Sequence, residues 1–191
     1  MKIFFYGGTF DPPHKGHESI VNHLLPLCDK FVLFPADRSP LKNASPKADI
    51  SHRINMLKIL FKNKKIEIDY FDTDEKKKNY TYLTISYLKK KYLGSSLTMI
   101  IGKDQFINLN NWKNYKSIIN SVNIICFNRN VKKISGIDEL IDLKVDFIDE
   151  FKMDVSSTRI RKDINSNRYN IKSNSLNLGI FKYIKENNLY V

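Results

Sequence analysis

The chain has 191 residues, 42% hydrophobic and 27% charged, which suits one globular domain with a proper core and excludes a disordered polymer. Thirty-two basic against 20 acidic residues give a net charge of +12, which favours anionic partners without choosing between nucleic acid, a membrane surface and small phosphorylated substrates. No run approaches the ~18 apolar residues that cross a bilayer, and Ile3–Tyr6 is too short for a secretory leader, so a cytoplasmic chain with no membrane partner is expected.

Taken in order, short β-branched or aromatic runs alternate with helical patterns. Ile3–Tyr6 reads as a strand and Gly16–Leu27 as the helix after it. Phe31–Phe34 is the next strand. Ser39–Asp49, with Pro40 and Pro46, reads as a mobile loop. Ser51–Phe61 reads as a helix capped by Ser51, with Ile54, Leu57, Leu60 and Phe61 on one face. Ile66–Tyr70 is a strand, and Thr81–Tyr92 a helix with Ile85, Leu88 and Tyr92 on its inner face. Leu97–Ile101, Val122–Phe127 and Val145–Ile148 are further strands. Trp112–Asn120 and Asn177–Asn188 are further helices, and Lys162–Ser175 a polar loop. Strand and helix in alternation predict an α/β fold: a doubly wound, mainly parallel sheet with helices on both faces, one domain over residues 1–191. In such sheets ligands bind beyond the carboxyl ends of the strands, where the strand order reverses. Cys28 and Cys126 each lie in an apolar stretch and read as reduced, buried thiols; their spacing is not that of a zinc site.

The first strand runs into Gly7-Gly8-Thr9-Phe10-Asp11-Pro12-Pro13-His14-Lys15-Gly16-His17. It is neither a Walker loop nor a GxGxxG turn. Two glycines let backbone N–H groups approach a ligand closely. Asp11-Pro12-Pro13 fixes a turn into a helix, and His14 and His17 share a face at that helix's start. A helix N-terminus already favours a phosphate, and two imidazoles add donors for it. Half of the chain's four histidines fall in this window. Near the other end, Val155-Ser156-Ser157-Thr158-Arg159-Ile160-Arg161 opens a helix with hydroxyls and carries a guanidinium one turn in, a second phosphate cradle.

Together these two stretches resemble the nucleotidyltransferase superfamily with (H/T)xGH and SSTxxR motifs, and more closely the bacterial nicotinate-nucleotide adenylyltransferases. The resemblance covers the whole chain. Ile100-Ile101-Gly102-Lys103-Asp104 with Trp112 is similar to that family's adenosine-binding segment and its tryptophan. Asn79-Tyr80-Thr81 is similar to a Ser-Tyr-Thr helix start. Pro40-Leu41-Lys42 falls at a Pro-His-Lys loop, Phe127-Asn128-Arg129 at a strand-ending arginine, and Phe181–Tyr190 at a terminal helix ending in Leu-Tyr. The chain departs from the pattern at Leu41, at Leu83 where Asp is common, at Pro13, and after Arg129, where Asn-Val replaces Pro-Gly.

The resemblance implies transfer of the adenylyl group of ATP to nicotinate mononucleotide, with Mg²⁺ bound mainly through the ATP phosphates. It implies that Gly8, Thr9 and Phe10 line the nucleotide site. His14, His17 and Arg161 are then the catalytic electrostatic clamps, with His17 nearest the α-phosphate. Lys42 reaches the phosphates, Gly102 and Asp104 contact the adenosine, and Ser156, Ser157 and Thr158 hold the β- and γ-phosphates. On the acceptor side stand Tyr80, Thr81, Trp112 and Arg129. Pantetheine-phosphate adenylyltransferases and cytidylyltransferases share both motifs; the Gly102–Trp112 segment and Tyr80-Thr81 speak against them. A basic nucleic-acid-binding module would explain the charge but not the His14/His17 pair, so no nucleic-acid partner is expected. A homo-oligomer is compatible with the sequence, which does not decide the oligomeric state.

Overall fold

A computed structural model describes residues 1–37, 45–74, 80–127, 145–148, 155–169 and 175–191. Among them six strands pair into one sheet: β1 (Lys2–Gly8), β2 (Lys30–Pro35), β3 (Ile66–Ile68), β4 (Ser96–Gly102), β5 (Asn123–Phe127) and β6 (Val145–Ile148). Every pairing is parallel, and the spatial order is β3-β2-β1-β4-β5-β6. This is the doubly wound Rossmann-type arrangement, and the order reverses between β1 and β4.

The period-2 alternation of each strand divides the core in two. Phe4, Phe31, Leu33, Ile100 and Ile125 face one side. There they meet α1 (Lys15–Leu24), α2 (Ile50–Leu60), α6 (Ser157–Asn165) and α7 (Leu178–Glu186) through Val21, Leu57, Ile160 and Ile184. Ile3, Phe5, Val32, Met99 and Cys126 face the other side. They meet α3 (Thr81–Lys91), α4 (Lys103–Ile107) and α5 (Tyr115–Ile119) through Ile85, Leu88, Phe106 and Ile118. Each such buried side chain contributes about 1.5–3 kcal/mol of transfer free energy. Cys28 and Cys126 are both buried free thiols.

The sequence reading needs local corrections. The first helix ends at Leu24 and continues as a 3₁₀ turn, Leu25–Leu27, because Pro26 cannot donate to an α-helical ladder. The cap of α2 is Asp49, not Ser51, which lies inside the helix. Its inward face includes Arg53, 1% exposed, while Ile54 is half-buried. The third strand stops at Ile68; the Asp69 carboxylate then accepts the Phe71 N–H at 2.9 Å and turns the chain. The fifth helix starts only at Tyr115, because Asn114 adopts a left-handed conformation at φ 58°. The short helix α4 lies in a stretch read only as strand end and ligand segment. No helix among the described residues is long and apolar enough to cross a membrane.

Candidate active site

Beyond the carboxyl end of β1 the chain makes a tight, aromatic-lined turn. Phe10 sits at φ 48°, a left-handed conformation unusual for an aromatic residue, and is buried. Its ring packs edge-on to Tyr6 and His17, with centroids 5.5 and 5.0 Å apart. That ring also explains Gly8: a Cβ there would stand 3.1 Å from the tip of Phe10. Gly16 is required in the same way, since a Cβ would come within 3.0 Å of the His14 ring. At Gly7 and Gly102, on the ends of neighbouring strands β1 and β4, a Cβ would meet nothing within 4 Å, so these strand ends border open space at the reversal point.

His14 is the N-cap of α1 and His17 is its third residue. The two rings stack at 3.7 Å with a 26° tilt. His17 Nδ1 accepts the backbone N–H of His14 at 3.1 Å, the return arm of a capping box. A neutral imidazole whose Nδ1 accepts carries its proton on Nε2. The cap therefore fixes the tautomer as well as the ring, and makes His17 Nε2–H a donor at the helix N-terminus.

The two cradles, 145 residues apart in sequence, meet directly. Ser157 Oγ donates to the Pro12 carbonyl at 2.9 Å, and Arg161 Nη1 donates to the Asp11 carbonyl at 2.6 Å. Arg161 also donates to Thr158 Oγ1 at 3.3 Å. Ser156 caps α6 by accepting the Arg159 N–H at 3.3 Å, which leaves its own hydroxyl proton for another acceptor. The start of α6 thus packs on the turn that leads into α1, and a helix N-terminus with free N–H groups favours anions.

Two buried residues hold this turn: Asp11, which the sequence already places in it, and Arg53, which the sequence motifs leave out. Asp11 is buried, and its carboxylate accepts the N–H groups of Lys47 at 2.7 Å and Ala48 at 3.1 Å, the run-up to α2. Arg53 sends Nη1 to the carbonyls of Thr9 at 2.7 Å and Ala36 at 2.6 Å, Nε to Ala48 at 3.0 Å, and Nη2 to Asp37 at 3.3 Å. Burial pushes the Arg53 guanidinium below its ordinary value, and the nearby charges of Asp11 and Asp37 oppose that shift. One side chain thereby fastens the loops after β1 and β2 to the start of α2. A basic residue at a core position of α2 was the available signal: Arg53 falls one turn before Leu57.

At the end of β4, Gly102 is the N-cap of α4, and Asp104 is exposed in that helix's first turn. Tyr80 is the N-cap of α3, and Thr81 its first residue. The first intrahelical bond there runs from the Leu83 N–H to the Tyr80 carbonyl at 2.8 Å, so the Thr81 and Tyr82 N–H groups precede the ladder. Leu83 itself is exposed. Lys113 Nζ lies 4.8 Å above the Tyr80 ring, a cation–π contact that brings the Trp112 turn beside the start of α3. Trp112 is half-buried against the second core cluster, and its indole N–H is buried without a hydrogen-bond partner among the described residues. Behind this helix start, Thr84 Oγ1 donates to both carboxylate oxygens of Asp72 at 3.0 and 3.2 Å. The Asp72 carbonyl accepts the Asp37 N–H at 3.0 Å. Burial pushes Asp72 up to about 6; the Thr84 hydroxyl works against this and the charge of Asp69 adds to it. Lys42 and Arg129 lie outside the described residues, as do Leu41 and Asn79.

Comparison with known proteins gives one family. Residues 5–163 match the model of the family described as cytidylyltransferase-like. A protein of Borreliella afzelii named "Probable nicotinate-nucleotide adenylyltransferase" is 36% identical over 100% of this chain and 97% of its own length. One of the same name from Methylacidiphilum infernorum is 31% identical over 100% of this chain and 93% of its own. Among solved structures, Plasmodium falciparum nicotinic acid mononucleotide adenylyltransferase complexed with NaAD superposes with a TM-score of 0.82 at 20% identity, covering 99% of this chain and 97% of that one. The same enzyme complexed with APC gives 0.78 at 21% identity, covering 99% and 96%.

Proposed function

The chain belongs to the cytidylyltransferase-like family, among the nicotinate-nucleotide adenylyltransferases, and from that premise we propose how its own residues carry out the reaction. The protein transfers the adenylyl group of ATP to nicotinate mononucleotide, giving deamido-NAD and pyrophosphate. The observation that carries the residue assignment is the junction of the two cradles, with Ser157 on the Pro12 carbonyl and Arg161 on the Asp11 carbonyl.

An oxygen of the mononucleotide's 5′-phosphate attacks the α-phosphorus in line. The new bond is phosphate oxygen to phosphorus, the bond that breaks is α-phosphorus to the bridging oxygen of the β-phosphate, and pyrophosphate leaves with that electron pair. The attacking phosphate is already ionised, so no general base is needed and no side chain forms a covalent bond. Catalysis then rests on positioning and on fixed donors that meet negative charge. His17 Nε2–H points to the α-phosphate, with His14 beside it on the triphosphate. Gly8, Thr9 and Phe10 line the nucleotide. Ser156, Ser157, Thr158 and Arg161 take the β- and γ-phosphates, and Lys42 adds a charge to them. Gly102 and Asp104 face the adenosine, with Asp104 on the ribose.

Tyr80 and Thr81 offer backbone N–H groups to the nicotinate carboxylate, Trp112 stacks on the pyridine ring, and Arg129 serves the acceptor side. The donor set between α1 and α6 is imidazole, hydroxyl and guanidinium, which fits a Mg²⁺ carried in on triphosphate oxygens better than one caged by protein carboxylates. When bound, that ion neutralises part of the triphosphate charge.

The acceptor tests this reading. The start of α3 and the Lys113 charge both suit an anionic pyridine substituent. Nicotinate mononucleotide should exceed nicotinamide mononucleotide in kcat/KM by at least about tenfold, or 1.4 kcal/mol. Equal values would remove Tyr80 and Thr81 from the acceptor site.

A further inference from the structure

Asp11 carries an unusual load for a carboxylate that is 3% exposed. Its Oδ2 accepts the Lys47 N–H at 2.7 Å and lies 3.6 Å from Arg161 Nη1. Its Oδ1 accepts the Ala48 N–H at 3.1 Å and the hydroxyl of Tyr190, the penultimate residue, at 2.8 Å. Tyr190 is 179 positions away in sequence, and its backbone takes a left-handed φ of 65°. The Leu189 N–H, donating to the Ile184 carbonyl at 3.0 Å, folds the chain back at the end of α7 and delivers the phenol. Burial and the charge of Asp11 push the Tyr190 hydroxyl far above its ordinary value, so it remains a donor across the working pH range.

The Arg161 guanidinium is hydrogen-bonded to the Asp11 backbone carbonyl and makes only a single, looser ion pair with the Asp11 carboxylate, Nη1 to Oδ2 at 3.6 Å. A buried carboxylate takes whatever donors can reach it. While Tyr190 and the two loop N–H groups occupy it, Arg161 keeps the rest of its fork for the cleft. We propose that Tyr190 is a positioning residue for the triphosphate site: by satisfying Asp11 it keeps Arg161 from collapsing into a two-point ion pair with that carboxylate. This rests on the nucleotidyl-transfer reading above and deepens it by giving the chain's end a share in ATP binding.

The test uses Y190F, R161K and the double variant in the full-length chain, with ATP and mononucleotide each varied. Wild-type protein that makes no dinucleotide would defeat the reading of the reaction itself, before any variant is compared. With that activity in place, Y190F should lower kcat/KM for ATP about tenfold, the scale of one charge-assisted hydrogen bond. KM for the mononucleotide should stay within twofold and thermal unfolding within a few degrees, because Phe retains the ring. On the R161K background the same change should cost less than threefold, since Arg161 is the group being positioned. Unchanged ATP kinetics in Y190F, an undiminished loss on the R161K background, or equal losses for both substrates with a collapsed melting temperature would each overturn the proposal.

Discussion

The two edges of the His17 ring separate its structural role from the catalytic role proposed for it. Nδ1 holds the His14 N–H at 3.1 Å, and in the proposed reaction Nε2–H meets the phosphates. In His17→Asn the amide oxygen takes the place of Nδ1 and retains the cap, but no donor reaches the Nε2 position. His17→Asn should therefore lose less stability than a variant without the cap. Loss of one fixed donor to transition-state charge typically costs 10²–10³ in rate, about 2.7–4 kcal/mol, and it should fall on kcat. Both variants lose the ring that stacks on His14 and packs edge-on to Phe10, but His17→Ala removes the cap as well. It should lose the same rate and about 1 kcal/mol or more of stability in addition. Steady-state kinetics with urea unfolding on both variants make the comparison. A folded His17→Asn protein with kcat within threefold of wild type would refute a transition-state role for Nε2.

Arg53→Met should be severe for the fold: it strips the donors from four carbonyls, at about 1–3 kcal/mol for each that stays buried and unpaired. A melting temperature lowered by about 10 °C or more is expected, and a drop below 2 °C would contradict the role given to Arg53. Asp72→Asn should do the opposite at neutral pH. Its carboxyl is pushed up to about 6 in the folded protein, so between pH 4 and 6 the unfolded chain ionises first and folding loses stability as pH rises. Above pH 6 the full penalty persists, up to about 3 kcal/mol. Urea unfolding should show Asp72→Asn more stable than wild type at pH 7.5 and equal to it at pH 4; the same difference at both would remove Asp72 titration as its cause.

The strands were legible where buried parallel strands leave uninterrupted apolar runs, as at Phe31–Phe34, which has no competing pattern. The paired motifs were legible because glycine, proline and histidine are sparse and therefore informative where they cluster. What the sequence hid was long-range. Nothing local marks Tyr190 as a partner of Asp11, and Arg53, though it falls on the core side of α2, reads as solvated until the fold supplies its acceptors in the loops after β1 and β2. Boundaries failed where a single residue overrode the pattern, as the backbone of Asn114 does before α5 and the carboxylate of Asp69 does after β3.

In a single in-line displacement the side chains only hold charge, and no adenylyl group rests on the protein. Incubation of the protein with ATP, Mg²⁺ and labelled pyrophosphate, with and without nicotinate mononucleotide, distinguishes this from a covalent route. Label should enter ATP only with the mononucleotide present, when the deamido-NAD formed runs the reaction backwards. In the forward direction, ATP made chiral at the α-phosphorus should give inverted deamido-NAD. Exchange of pyrophosphate into ATP without any mononucleotide, or retention of configuration, would mean that the adenylyl group rests on the protein, and would contradict the account.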